Sequence, residues 1–243
     1  MAAKNATKLT HFGIVPDWSL PSGINACVTT VAEPGNLAVH VGDDPARVIR
    51  HRRRLQRELA LPAQPKWLAQ YHSERVVRFE TCQMGAAADA IWATRVPSVC
   101  AVLTADCLPL LLASDNGEVI AAIHAGWRGL VAGIVENTIA ALPCPPVQLR
   151  AFIGPAISRD YFQVGADVYE AFAQRGLADV ATFQPQVEQK WLADLPLLAE
   201  RVLAACGVTN ITQSGLCTYS DPRFFSHRQS STAGRIATLI WKS

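Results

Sequence analysis

The feature that most constrains this chain is an apolar run from Val99 to Ala113, broken in its middle by Thr104-Ala105-Asp106-Cys107, with Pro109 just beyond. Apolar residues without alternation read as a strand buried on both faces. Asp, Cys and Pro inside such a strand cost packing and interrupt the hydrogen-bond ladder. The run therefore reads as a strand at residues 98–104, continued after a break by residues 108–112. Polar residues that violate local rules mark either a functional position or a simple bend with a buried thiol.

Ser114-Asp115-Asn116-Gly117 follows as a hairpin turn signal, and residues 118–124 read as the returning strand. Counted from a turn centre near Asn116, Cys107 and His124 lie at nearly equal distances. Antiparallel pairing would set them almost opposite one another. That proximity leaves two chemistries open. A thiolate and an imidazole can ligate zinc, or they can form a nucleophile and its base. His124 is followed by Ala125-Gly126-Trp127-Arg128-Gly129. The glycines allow a tight turn into a helix beginning near Gly129, where free N–H groups and Arg128 suit an anion.

The rest of the chain alternates strand and helix signals. Residues 17–23 read as a turn and 25–30 as a short strand. Asp43-Asp44-Pro45 starts a helix running to about Leu61, because acids and proline are favoured at a helix N-terminus. Val48, Ile49, Leu55 and Leu59 fit one buried face of it. Residues 74–79 alternate as a strand, 129–142 have helical apolar spacing, and 147–153 form a strand ending at Gly154-Pro155. Residues 166–174 and 194–206 are helices, the second stopped by Gly207. Residues 208–212 and 235–241 are strands. This order predicts an α/β or α+β fold, with residues 1–243 forming one domain.

Composition narrows the function classes. Half of the 243 residues are apolar and 17% are charged, the profile of a folded globule. A net charge of +2 points to neither nucleic acid nor an acidic partner. The start over residues 1–10 is polar and carries no signal peptide, and no run of about 18 apolar residues exists to span a membrane. A cytoplasmic protein is expected. The seven cysteines are odd in number and contain no C-x-x-C, which argues against a disulfide framework or a zinc ribbon. Most of them are expected to be buried small hydrophobes.

The helix after Asp44 is strongly basic, with Arg47, Arg50, Arg52, Arg53, Arg54 and Arg57. A solvated face explains it most simply. A non-enzymatic nucleic-acid or regulatory binding protein would use it as a phosphate-binding surface, and an intermediate reading turns one or two of these arginines toward a substrate anion.

Gln70-Tyr71-His72, Ala88-Asp89-Ala90, the segments 104–109 and 124–129, Gly154-Pro155-Ala156-Ile157, Cys217-Thr218-Tyr219 and Phe224-Phe225-Ser226 occur in a collinear series over nearly the whole chain. In these segments the sequence resembles the YfiH-type family, whose members have been described as laccase-domain proteins, polyphenol oxidases and purine nucleoside phosphorylases. The resemblance implies mixed β-sheets flanked by helices, the CNF/YfiH-like cysteine-hydrolase fold. It also implies that His72, Cys107 and His124 hold one catalytic metal, zinc as a rule and copper as the alternative. His72 enters the site only on this basis; by its own surroundings it reads as a loop histidine. The implied activity is phosphorolysis of adenosine, inosine, guanosine and methylthioadenosine to free base and sugar 1-phosphate, with adenosine deamination beside it. Copper-dependent phenol oxidation and hydrolysis of a mis-made peptidoglycan precursor are also described for the family. A multicopper oxidase needs many more histidines than the six present.

Around the metal, Cys107, His124 and Arg128 are the expected catalytic groups. Asp89 is expected to orient a ligand histidine or to cap a loop. Arg52 is a candidate anion contact, Cys217 a candidate wall residue and His227 a candidate proton carrier, so Arg52, Asp89, Cys217 and His227 form the expected substrate-binding set. The expected partners are a purine nucleoside and phosphate, without nucleic acid or membrane, and the chain is expected as a monomer or homodimer. Three segments depart from the family pattern. The loop at residues 28–37 is shortened and lacks the usual arginine, His51-Arg52 replaces an Asn-Arg pair, and His227 replaces a tyrosine. These changes spare the metal ligands and bear on the phosphate and substrate contacts.

Overall fold

The long apolar run is two strands in two different sheets. The computed structural model describes residues 8–10 and 12–243; the polar start at residues 1–7 lies outside the described residues. In chain order the strands are β1 (Lys8–Thr10), β2 (Gly13–Val15), β3 (Ile24–Val28), β4 (Val76–Arg78), β5 (Ala90–Ala93), β6 (Ser98–Thr104), β7 (Leu108–Ser114), β8 (Ile120–Ala125), β9 (Leu149–Ile153), β10 (Gln163–Val164), β11 (Phe183–Pro185), β12 (Trp191–Ala193), β13 (Asn210–Gln213) and β14 (Ile236–Lys242). The helices are α1 (Pro45–Glu58), α2 (Trp127–Ala132), α3 (Ile134–Ala141), α4 (Ala166–Ala173) and α5 (Leu195–Ala205).

A five-stranded antiparallel sheet runs β1-β2-β3-β14-β6, a six-stranded mixed sheet runs β13-β9-β7-β8-β5-β4, and a small sheet runs β10-β12-β11. The first two sheets pack face to face. Cys100, Val102, Ile236 and Ile240 of one meet Leu111, Ala113, Ile120 and Ala122 of the other in a shared core. The outer face of the six-stranded sheet, with Leu108, Leu110 and Leu112, packs on the helices through Leu130, Ile134, Val168, Leu198 and Val202. The outer face of the five-stranded sheet, with Val99, Ala101, Leu103 and Leu239, packs with Leu55 of α1. The alternation is therefore present inside β6 and β7, but apolar partners wait on both faces and hide it in the sequence. Each fully buried Leu, Ile or Phe contributes about 1.5–3 kcal/mol through this burial.

The polar break at residues 104–107 is the crossing between sheets. Thr104 still pairs with Ile236 of β14, and Leu108 already pairs with Ala125 of β8. Asp106 takes a left-handed φ of 82° at the crossing, a conformation that Asp tolerates better than most residues.

Several expectations need correction. The helical segment at 129–142 is two helices, because Gly133 adopts φ 100° between α2 and α3. The first of them begins at Trp127, ahead of Gly129. In α1, Val48 and Leu55 are buried but Ile49 is 46% exposed. That helix ends at Glu58, and Asp44 caps its start by accepting the Ala46 and Arg47 N–H groups. All seven cysteines are free, but only Cys27 and Cys100 are fully buried; the other five are half-buried. The sequence reading lacked β5 and the small sheet, whose strands of two to four residues are too short to display a period. Among the described residues, no helix is long and apolar enough to cross a membrane.

Candidate metal centre

Strand direction assembles the site. β5 and β7 flank β8 and both run antiparallel to it. The residues just before β5 and β7, Asp89 and Cys107, therefore lie beside the end of β8, where His124 sits. The hairpin register pairs His124 with Pro109 and Leu108 with Ala125. Cys107 is thus the diagonal neighbour of His124 on the same face, two residues away from direct opposition. Diagonal neighbours are still within reach of long side chains.

His72 joins from the loop before β4. Asp89 builds that loop with one buried carboxylate. It accepts the N–H groups of Tyr71 (3.3 Å), His72 (3.1 Å) and Ser73 (2.7 Å), and the Ser73 hydroxyl (2.7 Å). Its Oδ1 also lies 2.7 Å from Nδ1 of His124, and its backbone carbonyl accepts the His124 N–H at 2.7 Å. Gln70 pins the loop to β6 through paired 2.8 Å hydrogen bonds with the Leu103 backbone. His72 itself holds φ 64°.

The donor atoms of His72, Cys107 and His124 all lie within 4.8 Å of one another. Cys107 Sγ is 3.6 Å from His72 Nε2. Gly126 permits this convergence. A Cβ there would stand 2.6 Å from His72 Cδ2 and 3.0 Å from Cys107 Sγ, so any side chain would fill the space between the donors. Two imidazoles and a thiolate are a donor set that suits a single metal ion, and engaging Nδ1 of His124 on Asp89 leaves its Nε2 for the metal.

Charge is organised around the same groups. Burial by itself would raise the Cys107 thiol, but the facing His124 charge and hydrogen bonds from His124 and His72 bring it below its usual range. Burial would lower the His124 imidazole, yet the Cys107 thiolate and the Asp89 carboxylate raise it. Burial also opposes ionisation of Asp89, and the His124 and Ser73 hydrogen bonds overcome it, bringing the carboxyl to about 2.

The donors lie on a cleft of about 360 Å³. Arg128 and His227 line it, and Arg128 lies over the Trp127 ring at 4.3 Å. The other three expected substrate contacts lie elsewhere. Asp89 is 0% exposed and acts behind His124 and His72. Arg52 donates to the Leu37 carbonyl at 2.9 Å and lies 4.5 Å over the Trp67 ring. Cys217 faces Ser158, accepting its N–H at 3.4 Å and its hydroxyl at 3.1 Å. The basic helix is largely neutralised: Arg47, Arg50, Arg54 and Arg57 pair with Asp43, Asp44, Glu33 and Glu58.

Sequence reasoning missed His40, Asp106 and Arg235 as cleft residues. Asp106 accepts the hydroxyls of Thr218 (2.7 Å) and Ser226 (3.0 Å) and the Arg228 N–H (2.7 Å). This ties the Cys107 crossing to segments more than 110 residues away. Its place in the polar break was the available signal. His40 and Arg235 carried none, because only tertiary contacts such as Leu37 N–H to the Arg235 carbonyl (3.1 Å) bring their segments together.

Comparison with known proteins agrees with this architecture. The family model described as multi-copper polyphenol oxidoreductase laccase matches residues 26–243. The chain belongs to this YfiH-type laccase family. A Pseudomonas aeruginosa protein named purine nucleoside phosphorylase is 40% identical over 94% of this chain and 97% of its own length. An Escherichia coli relative named purine nucleoside phosphorylase YfiH is 41% identical over 94% and 98%. A Neisseria meningitidis crystal structure superposes with a TM-score of 0.89 at 39% identity, covering 95% of this chain and 99% of that one. YlmD from Geobacillus stearothermophilus gives a TM-score of 0.87 at 25% identity over 98% and 99%. The expected mixed α/β fold of the YfiH-type family is thus the one observed.

Proposed function

We propose that this YfiH-type chain is a zinc-dependent purine nucleoside phosphorylase acting on adenosine, inosine, guanosine and methylthioadenosine, with adenosine deamination as a side activity. The observation that carries the reading is the convergence of His72, Cys107 and His124 on a cleft lined by arginines, in a chain whose relatives bear the phosphorylase name. Zinc held by these three residues would supply a Lewis acid at the cleft. The seven free cysteines fit a reducing cytoplasm.

Phosphorolysis joins a phosphate oxygen to C1′ as the glycosidic C–N bond breaks. The base leaves with the electron pair and takes a proton. The chain must therefore hold a dianion beside the sugar and an aromatic base in an apolar slot. The cleft volume of about 360 Å³ suits a nucleoside. Trp127, Phe162, three guanidiniums and His227 line the cleft; in this reading the rings hold the base, the guanidiniums the anion, and His227 would carry the proton. A set of several coppers does not fit, because the chain has six histidines and the described residues contain one three-donor group.

The test is base release from adenosine and inosine, with and without phosphate, on protein of measured zinc content. Phosphate-dependent release abolished in Cys107→Ala supports the reading, and release unchanged in that variant sinks the site assignment. Ammonia production reads deamination in the same samples. The Cys107 thiol, lowered against its burial by the facing His124 charge, also suits a metal-free cysteine hydrolase with His124 as base. Near-stoichiometric zinc that disappears in His72→Ala rules that alternative out.

A further inference from the structure

The charged groups lining the cleft do not balance. Three are guanidiniums, Arg128, Arg228 and Arg235, and one is a carboxylate, Asp106. The Asp106 oxygens already accept the Thr218 and Ser226 hydroxyls and the Arg228 N–H. Among the described residues none of the three arginines closes an ion pair, whereas Arg159, Arg175 and Arg201 each meet a carboxylate.

Arg235 is the most enclosed of the three, half-buried where Arg128 and Arg228 are exposed. Its Nη1 donates to the carbonyls of Ala233 and Gly234, the latter at 3.1 Å. Among the described residues its Nε and Nη2 meet no hydrogen-bond acceptor. Arg235 lines the cleft, so an anion there would supply acceptors for these donors. The Arg235 segment is rigidly placed, because its N–H donates to Asn36 Oδ1 at 2.9 Å. Arg228 is oriented by a 3.1 Å hydrogen bond from Nη1 to the Gln163 carbonyl and by the Phe162 ring at 5.5 Å. His40 lies close to Arg235: burial, then the charges of Arg235 and Arg52, lower its imidazole from the usual range. As a neutral imidazole it keeps one N–H to donate. Arg128, by contrast, is exposed and lies on Trp127, at the head of a helix of only six residues.

We propose that Arg235 and Arg228, with His40, form the subsite that takes the phosphate ion. The choice of phosphate as the anion rests on the phosphorolysis reading; the surplus of donors does not. A nucleotide 5′-phosphate offers the same oxygens, so both sources must be compared.

Calorimetric titration of the zinc-loaded protein with inorganic phosphate tests the subsite without turnover. Arg235→Gln should weaken phosphate binding about tenfold or more, and Arg228→Gln about threefold or more, while the exposed Arg53→Gln stays within about twofold. Arg235→Lys, which keeps the charge and loses the fork, should fall between wild type and Arg235→Gln. If Arg235→Gln does not melt cooperatively, Arg228→Gln and Arg235→Lys carry the test. Wild-type affinity in a folded Arg235→Gln overturns the proposal. Phosphate binding undiminished by saturating adenine, a base that phosphate alone cannot turn over, supports a free-ion subsite. Adenosine 5′-monophosphate binding that needs Arg235, in a protein that does not bind inorganic phosphate, overturns the free ion as occupant. Arg235-dependent phosphate binding without any base release keeps the subsite and sinks phosphorolysis. Base release with an unaltered phosphate KM in Arg235→Gln does the reverse.

Discussion

Asp89 Oδ1 lies 2.7 Å from His124 Nδ1 and 3.1 Å from the His72 backbone N–H, so one buried carboxylate fixes the ring of one donor and the backbone of another. The two histidines are 52 residues apart in sequence, yet they share this support because Asp89 sits just ahead of β5, beside the end of β8. Its ionisation is what makes this possible. A neutral carboxyl could not accept five hydrogen bonds.

Asp89→Asn should therefore act on metal affinity before it acts on folding. An amide presents one acceptor and two donors to a set of donors, which releases the residue 71–73 loop and the His124 tautomer. Zinc affinity measured by competition with a chelating dye should fall about 10- to 100-fold. An unchanged zinc affinity would show that the ligands hold their own geometry.

Gly126→Ala tests the space between the donors. Its Cβ would stand 2.6 Å from His72 Cδ2, and the exposed His72 loop would have to move away. Stability should drop by about 1–3 kcal/mol, as expected for overpacking, and stoichiometric zinc should be lost. Thermal melts and elemental analysis read the two effects separately.

Asp106→Asn should loosen the crossing between sheets. Its carboxylate receives three donors from residues 218, 226 and 228, and an amide nitrogen cannot accept any of them. A loss of about 1–3 kcal/mol is expected in denaturant unfolding. A midpoint equal to that of the native protein would contradict this.

Glu80 gives the chain an acid-sensitive joint away from the metal donors. Burial opposes its charge, but the Thr94 and Arg95 N–H groups (2.8 Å each) and Arg78 outweigh it and hold the carboxyl at about 2. The folded value lies below the ordinary one of 4.5. The stabilisation is therefore complete above about pH 4.5 and is lost as pH falls toward about 2. Glu80→Gln should be less stable than the native protein by up to about 3 kcal/mol at neutral pH, with the gap closing toward pH 2. A gap independent of pH would show that the ion makes no contribution.

The sequence by itself determined the parts whose rules are local. Unbroken apolar runs and turn chemistry placed the β7–β8 hairpin, so Cys107 and His124 were legible as neighbours from spacing, within one diagonal step. Asp44 and Pro45 marked the start of α1, and Gly207 the end of α5. His72 was legible only through resemblance, because a loop histidine at φ 64° carries no periodic signal. Tertiary structure decided the rest. It turned the polar break at Asp106 from a kink in one strand into a crossing between two sheets, and it placed Arg52 and Cys217 against other partners. It also brought His40 and Arg235 into the cleft beside the Cys107 thiol. The physical reason is that side-chain period reports which face of an element is buried, whereas the neighbours across a sheet are set by strand order, which no local pattern encodes.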